Sequence, residues 1–332
     1  MSINTETQVS KITYDGVEIP LKGGTVVNGL QWKCDNVKNL RREFESYTGE
    51  SVDEAFVGLD TTQVTDVYNI FYYCENLKSV PYFETKNVTN MQYMFYYCKS
   101  LTEIPHYDTS SVTNVKYMFR DCSLLTSVPL LDFSKVESLD SVFQNCSSLK
   151  SIPKFNTPNN VELYNTFSGC SSLEVIPELD CSKVQTIYMM CLNCTSLKTV
   201  EKLDLLNLTA GPGSPFSGCT NLTNLNLVNI TKTITIGSGT TYGHLLTLDS
   251  LINTIKELWD YSSETKTYTL TMGTANVSKI ANVYVKLITP TEEQIAADPN
   301  IVNKKPCEVC ESSDEGAMLI TEYAISKKWN IA

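Results

Sequence analysis

A 24-residue period runs through most of this chain and restricts the folds open to it. Apolar residues recur at that spacing in four sets of equivalent positions, which we call columns. The phenylalanine column is Phe71, Phe95, Phe119, Phe143 and Phe167, with Cys191 next; the cysteine column is Cys74, Cys98, Cys122, Cys146, Cys170, Cys194 and, one residue late, Cys219. The others are Leu77, Leu101, Leu125, Leu149, Leu173 and Leu197, and Val80, Ile104, Val128, Ile152, Ile176 and Val200. A fixed period of this length is typical of leucine-rich repeats, so we predict an α/β solenoid.

Within one repeat, or coil, the spacing of apolar residues suggests local structure. Met91, Met94 and Phe95 have helical spacing, which predicts a turn of helix on the convex side. Residues 101–104 predict a short parallel strand that ends at Pro105. One coil cannot bury these side chains alone, whereas stacked coils form a continuous core.

A polar column, mostly followed by Thr or Ser, accompanies the apolar ones: Asp60, Glu84, Asp108, Asp132, Asn156 and Asp180. Short oxygen-bearing side chains can accept from backbone N–H groups two or three residues on and so close a turn. The alternative is a ladder of calcium sites, which would need six to eight oxygens each. One carboxylate per coil favours the turn.

The motif V-T-N-M-x-x-M-F-x-x-C-x-x-L-x-x-I-P at residues 88–105, with the turn Asp108-Thr109-Ser110, resembles the BspA-like leucine-rich repeats, including the mycoplasma-type lipoprotein branch. The resemblance covers residues 60–228. It implies a right-handed stack of short parallel strands used for adhesion or recognition on cell surfaces and phage particles, with no catalytic residues. The C-terminal sequence KKWNIA also resembles the ends of repeat proteins from phages of gut bacteria.

The repeats divide the chain into four segments. We expect an N-terminal hairpin and docking segment at 1–29, a degenerate capping coil at 30–60, the solenoid at 61–228 and an α/β extension with a cap at 229–332. In the first segment, the alternating apolar residues around Asp15-Gly16 predict a hairpin. These candidate docking residues are Ile12, Tyr14, Val17, Ile19 and Leu21. The hairpin would either cover the first coil or pair with another subunit.

Residues 30–60 resemble a degraded coil. A step of 24 residues back from Phe71 reaches Tyr47, and the same step from Val80 reaches Phe56. The helical spacing of Leu40, Phe44 and Tyr47 predicts a short helix in this cap.

The last hundred residues follow a different pattern. Residues 232–237 and 267–273 predict strands, while further helices are expected at 276–287 and 315–329, before a final strand at 330–332. One helix face is marked by Leu248, Leu251, Ile252, Ile255, Leu258 and Trp259. The alternation suggests longer α/β coils and a helical cap.

The cysteine column predicts reduced thiols packed in the core, since bridges require converging Cβ atoms. Cys307 and Cys310 lie outside the columns. A zinc site, a local disulfide and two free thiols all remain open for this pair.

Tyrosine is the residue type best suited to binding a partner here. Seven tyrosines flank the phenylalanine column in the first three coils: Tyr68, Tyr72, Tyr73, Tyr93, Tyr96, Tyr97 and Tyr117. They cannot all point inward, so several should line one surface, where tyrosine gives a large amphipathic contact area. The alternative is a tyrosine ladder that merely shields the convex side.

Charge and composition limit the functional classes. With 26 basic against 37 acidic side chains, the formal charge of −11 disfavours binding to nucleic acid or anionic membranes. No apolar run is long enough to span a membrane, and the first residues lack the pattern of a secretory signal. The two histidines, His106 and His244, stand in no recognisable catalytic setting. We therefore expect no enzymatic activity, cofactor or metal.

Two functional hypotheses remain. The first is a structural protein of a phage virion, located in the particle and assembled in the bacterial host, whose N-terminal segment contacts other virion proteins and whose solenoid contacts a host-surface protein or glycan. The second is a bacterial surface or intracellular interaction module of the same repeat family. Oligomerisation is compatible with both.

Overall fold

The computed structural model describes residues 12–14, 17–19, 38–56, 59–209, 214–236 and, with a few short gaps, 246–331. The chain divides into two compact units, Met1–Leu173 and Glu174–Ala332.

The N-terminal hairpin is confirmed. Strands β1 (Ile12–Tyr14) and β2 (Val17–Ile19) pair antiparallel, with Ile12 opposite Ile19. The Asp15-Gly16 turn and Leu21 lie outside the described residues. The backbone thus supports the hairpin but leaves its docking role as a prediction.

The predicted turn of helix in each coil is wrong. In its place, backbone N–H groups alternate between partners inside the coil and partners in the next coil. The N–H of Met94 donates to the carbonyl of Met91 at 3.1 Å, whereas that of Phe95 donates to the carbonyl of Met118, one coil later, at 2.9 Å. We call this segment, residues 91–97 and its equivalents, the turn ribbon.

Left-handed residues explain why the turn ribbon is not a helix. Tyr93 and Tyr97 have φ angles of 57° and 65°. A left-handed residue at every fourth position interrupts right-handed α-helical geometry. The left-handed residues also point alternate N–H groups towards the neighbouring coil, where these groups donate hydrogen bonds to backbone carbonyls.

The predicted strand after the turn ribbon is present only in the second unit. There β3 (Val175–Ile176), β4 (Thr199–Asp204) and β5 (Asn224–Val228) form a parallel sheet in that order. The described coils of the first unit have no strand at this position, and their isolated parallel bridges lie elsewhere, such as that from Asp66 to Asn90 just before the turn ribbon. Proline has no N–H group to donate to a strand ladder. In β4, the longest of the three strands, Glu201 stands at the position where the earlier coils have proline.

Stacked phenylalanine rings form the centre of the first unit. Phe71, Phe95, Phe119, Phe143 and Phe167 are buried, and successive ring centroids lie 5.4–5.7 Å apart. Aromatic pairs of this kind contribute about 0.5–1.5 kcal/mol beyond the area they bury. The column therefore connects each coil to its neighbours as well as filling it.

The capping coil has a different register from the one predicted. Phe44, not Tyr47, stacks on Phe71 with centroids 5.6 Å apart, so the two coils are offset by 27 residues rather than 24. The predicted helix around residues 40–47 is wrong, because Arg42 and Ser46 are left-handed and continue the turn ribbon. A short helix, α1 (Asp53–Phe56), occurs later in this coil.

In the second unit the predicted strands are confirmed in shorter form as β6 (Ile234–Thr235) and β7 (Tyr268–Thr271). They lie parallel in a sheet with β11 (Trp329–Ile331), ordered β11-β7-β6. Helix α2 (Leu248–Lys256) joins them and buries Leu251, Ile252 and Ile255, although Leu248 is exposed. Leu258 is buried beyond the helix end, and Trp259 lies outside the described residues.

The predicted helix at 276–287 is only half right. Helix α3 (Thr274–Ile280) is followed by strand β8 (Tyr284–Leu287), which pairs antiparallel with β9 (Cys307–Cys310) and β10 (Met318–Leu319). An antiparallel sheet is not a continuation of parallel coils, so the prediction of α/β coils holds only for the β6–α2–β7 part.

Three short helical segments complete the second unit: α4 (Glu292–Ala297), a 3₁₀ helix (Ile301–Lys304) and α5 (Ile320–Ser326). Helix α5 is shorter than predicted because β10 and β11 occupy its expected ends. Tyr323 is buried as expected, whereas Ile325 is exposed. Within the described ranges, none of the helices is long and apolar enough to cross a membrane.

Candidate functional site: a surface of stacked tyrosines

The structure brings the seven predicted tyrosines together on one side of the first unit, and we call this set the tyrosine surface. Six of them form ring pairs between adjacent coils, with centroids 4.4–5.0 Å apart: Tyr73–Tyr97, Tyr93–Tyr117 and Tyr72–Tyr96. The seventh, Tyr68, meets Tyr93 edge to face at 5.9 Å. Tyr73 is 37% exposed and the other six are half-buried, so the rings both pack and face solvent.

Four of these tyrosines occupy backbone positions that ordinarily disfavour them. They have φ angles between 57° and 65°: Tyr73, Tyr93, Tyr97 and Tyr117. The positions equivalent to Tyr73 and Tyr97 in later coils are also left-handed, but they carry residues that adopt this conformation at less steric cost: Asp121, Asn145, Gly169, Asn193 and Gly218. Tyrosine is thus strained at a place where asparagine or glycine would serve the backbone better.

Cationic side chains lie over the outer rings. The guanidinium of Arg41 is 4.9 Å from the Tyr68 centroid, and the Lys99 ammonium is 4.0 Å from that of Tyr97. Cations so placed are attracted by the negative ring face. Arg41 and Lys99 thus lie at the border of the tyrosine surface, in contact with the faces of its outer rings.

A cavity of 390 Å³ opens in the tyrosine surface, and we call it the tyrosine cup. Its lining consists of Tyr68, Tyr72, Tyr93, Tyr96 and Tyr117 together with Arg42, Glu45, Asn69 and Arg120. Asn69 is only 4% exposed, and its Oδ1 has no hydrogen-bond partner among the described residues. The Nε of Arg120 also lacks one there, although it lies 3.4 Å from Asp121 Oδ2.

Three tyrosines of the cup, Tyr72, Tyr96 and Tyr117, have a raised pKa. Burial raises the pKa of Tyr72 and of Tyr96. Burial and the Asp140 carboxylate, which accepts a hydrogen bond from the Tyr117 hydroxyl at 3.1 Å, raise the pKa of Tyr117 to about 12. These three residues therefore offer neutral hydroxyl groups beside aromatic faces.

Sequence reasoning found the tyrosines but missed the polar groups of the cup. Asn69 occupies the left-handed position that Tyr93 and Tyr117 occupy in the next two coils. A small residue beside two coils with large rings at the same position leaves space above it. That difference from the next two coils was the available signal for Asn69, while Arg42 aligns with Asn69, and Glu45 with Tyr72, only in the 27-residue register.

The cysteine column lies in the core. Its described members are buried and form no disulfide, and burial raises the pKa of Cys170 to about 12. Cys307 and Cys310 are likewise free and lie on β9. Among the residues with described positions, no group of three potential metal ligands comes together.

The polar column closes turns, as predicted. Asp108 Oδ1 accepts hydrogen bonds from the backbone N–H of Ser110 at 3.0 Å and from its hydroxyl at 2.7 Å. These bonds lower the pKa of Asp108. The same arrangement joins Asp60 to Thr62.

Repeated coils joined by backbone hydrogen bonds, with buried leucine and phenylalanine columns, define a leucine-rich-repeat protein with a solenoid-like fold. More particularly, family models match two parts of the chain, one of them a BspA-type leucine-rich-repeat model. The family described as "BspA type Leucine rich repeat region (6 copies)" matches residues 140–265. That described as "Mycoplasma protein of unknown function, DUF285" matches residues 25–127.

Solved structures of bacterial leucine-rich-repeat proteins are also similar. The T. pallidum leucine-rich-repeat protein is 19% identical, with 63% of this chain and 83% of that chain covered and a TM-score of 0.33. A leucine-rich-repeat protein from Bacteroides ovatus is 15% identical, covering 68% and 69%, with a TM-score of 0.29. A leucine-rich cell surface protein from Faecalibacterium prausnitzii is 16% identical, covering 72% and 89%, with a TM-score of 0.22. Curated proteins give no significant match.

Proposed function

We propose that this protein is a non-enzymatic recognition module whose tyrosine surface binds an external partner. The observation that carries the proposal is the placement of tyrosine at four left-handed positions of the turn ribbon. Asparagine or glycine would form the same backbone at lower cost. A side chain retained at such a cost is expected to contribute contacts that the backbone does not need.

The alternative, a ladder that only shields the fold, accounts for the ring stacking but not for the cup. Shielding requires close packing, whereas the rings around Asn69 leave a cavity of 390 Å³ with unsatisfied polar atoms. Buried polar atoms without partners are uncommon in folded proteins and call for a specific explanation. A bound partner would supply one.

The repeat family supports a binding role. Leucine-rich-repeat domains generally mediate protein binding and are not typically enzymes. Tyrosine also offers contact area at a low cost in side-chain entropy.

Site-specific photo-crosslinking tests the proposal. A photoreactive phenylalanine analogue would replace Tyr73 in one variant and Tyr164 in a matched control. Tyr164 is 41% exposed in the same unit but lies outside the tyrosine surface. With bacterial cells and their envelope fractions as prey, we expect a discrete adduct from position 73 only; equal adducts from both positions, or none from 73, would reject the proposal.

A place in a phage virion remains a separate proposal. Its support is the hairpin β1–β2, which stands outside the repeats and could attach the protein to other virion proteins. Mass spectrometry of purified particles, compared with the host cell surface and cytoplasm, distinguishes this role from that of a bacterial interaction module. Absence from particles produced by an expressing host would remove the virion role.

A further inference from the structure

We propose that the tyrosine cup is a binding site for a neutral saccharide, such as the end of a glycan chain. This inference rests on the proposed function, because it names the chemistry of the partner at the same surface. It is drawn from three properties of the cup: the orientation of its rings, its unsatisfied polar atoms and its charge balance.

The rings form a corner rather than a flat wall. Tyr93 stands almost perpendicular to Tyr68, at 89°, and to Tyr72, at 83°, with centroids 5.9 and 6.0 Å away. A pyranose ring presents C–H groups on its faces and hydroxyls around its edge. Such a ring can place one face on a tyrosine while its edge meets polar groups, and a cavity of 390 Å³ falls in the size range of small-ligand sites.

Two residues that line the cup, Asn69 and Arg120, carry buried polar atoms that would match a ligand with both donor and acceptor groups. Asn69 Oδ1 is an acceptor and Arg120 Nε–H is a donor, and both are unsatisfied among the described residues. An apolar side chain entering the cup would leave both atoms without partners, whereas a hydroxyl group could pair with either.

Charge balance favours a neutral ligand. Arg42 Nε lies 3.4 Å from Glu45 Oε2, and Arg120 Nε lies 3.4 Å from Asp121 Oδ2, so each guanidinium is offset by a carboxylate. An anionic ligand would therefore meet no net positive charge. A cationic ligand is disfavoured because Arg120 already lies 5.7 Å from the Tyr96 and Tyr117 ring centroids.

Two pairs of matched substitutions isolate the cup. Asn69→Gly removes the floor acceptor while glycine tolerates the left-handed backbone, and Asn165→Gly makes the same change at the equivalent position four coils later. Tyr68→Ala removes a wall, and Tyr164→Ala is its equivalent outside the cup. Circular dichroism and thermal melts of all four variants verify folding.

Binding would be measured by isothermal titration calorimetry and by NMR of the saccharide with the full-length protein. The probes are maltohexaose, cellohexaose, chitohexaose and a mannohexaose, with hexagalacturonate as the acidic counterpart. We expect at least one neutral probe to bind, with affinity reduced tenfold or more, equivalent to about 1.4 kcal/mol, in Asn69→Gly and Tyr68→Ala but unchanged in the two controls.

Failure of this inference can be separated from failure of the proposed function. The saccharide site is overturned if no neutral probe shows saturable binding at concentrations up to about 10 mM. Binding that the cup variants leave unchanged, or a preference for hexagalacturonate, also overturns it. A protein adduct at position 73 in the crosslinking experiment would still support the tyrosine surface as a recognition site.

Discussion

The thiol of Cys122 donates a hydrogen bond to the carbonyl oxygen of Phe95, one coil earlier, at 3.0 Å. The same carbonyl accepts the N–H of Cys98 at 3.1 Å. The contact recurs between Cys146 and Phe119, again at 3.0 Å. A cysteine in every coil therefore links neighbouring turn ribbons, in addition to filling space as a small apolar side chain.

This contact predicts that the cysteine column is protected from thiol reagents. Burial raises the pKa of Cys122 and Cys146, so little thiolate forms and reagents cannot reach it. Labelling with iodoacetamide at pH 8, followed by peptide mass spectrometry, should modify the half-buried Cys310 well before any column residue. In urea all should react alike; rapid native labelling of Cys122 would contradict the packing described.

Removing a ring from the phenylalanine column should destabilise the first unit strongly. Phe119 stacks on Phe95 and Phe143 at 5.4 Å each, so Phe119→Ala removes contacts to both neighbours. We expect a loss of about 3–5 kcal/mol in unfolding free energy. The control Leu130→Ala changes a side chain that is 58% exposed and should alter stability by about 0.5 kcal/mol or less. Urea denaturation of both variants measures the difference, and equal effects would mean that the column does not face the core.

Periodicity is the reason that so much of the fold could be predicted. The columns at Phe95 and Leu101 identify the buried face of each coil without reference to its backbone, and the hairpin followed from alternation around a turn signal. The turn ribbon could not be predicted in this way. Buried residues at positions 91, 94, 95 and 98 fit an α-helix and a turn ribbon equally well.

The cup could be predicted only in part for a related reason. The tyrosines share a period, so their grouping followed from the sequence. Asn69 becomes important because neighbouring large rings leave it at the base of a cavity. Arg42 and Glu45 enter the cup through the 27-residue offset of the capping coil, which a 24-residue step conceals.

At two adjacent tyrosines, the glycine and alanine variants should differ in stability in opposite directions. Tyr97 is left-handed, so Tyr97→Gly should be about 1 kcal/mol more stable than Tyr97→Ala. Tyr96 is not among the left-handed residues, so there Tyr96→Ala should be the more stable of the pair, by about 0.5–1 kcal/mol. Thermal or urea unfolding of the four variants decides this. The same order at both positions would contradict the alternating backbone of the turn ribbon.

In the second unit, the buried Lys327 should make stability depend on pH. Its ammonium donates to the carbonyl of Leu258 at 2.9 Å and lies 4.0 Å from the Tyr323 ring centroid. Burial lowers the pKa of Lys327 to about 7, although Cys307, Asp260 and Glu257 act to raise it and Lys304 to lower it.

The sign of the effect follows from proton uptake. Between about pH 7 and the ordinary lysine pKa near 10.4, the unfolded chain carries a proton on Lys327 that the folded chain does not. Unfolding free energy should therefore rise with pH across that window, by up to about 1.4 kcal/mol per pH unit, and become independent of this group below pH 7.

Lys327→Met removes the titration. Urea denaturation at pH 7, 8 and 9 should show the wild type gaining about 2 kcal/mol relative to Lys327→Met, whereas Lys328→Met, at an exposed neighbour, should follow the wild type. Parallel pH profiles for the wild type and Lys327→Met would show that Lys327 is charged in the folded protein throughout.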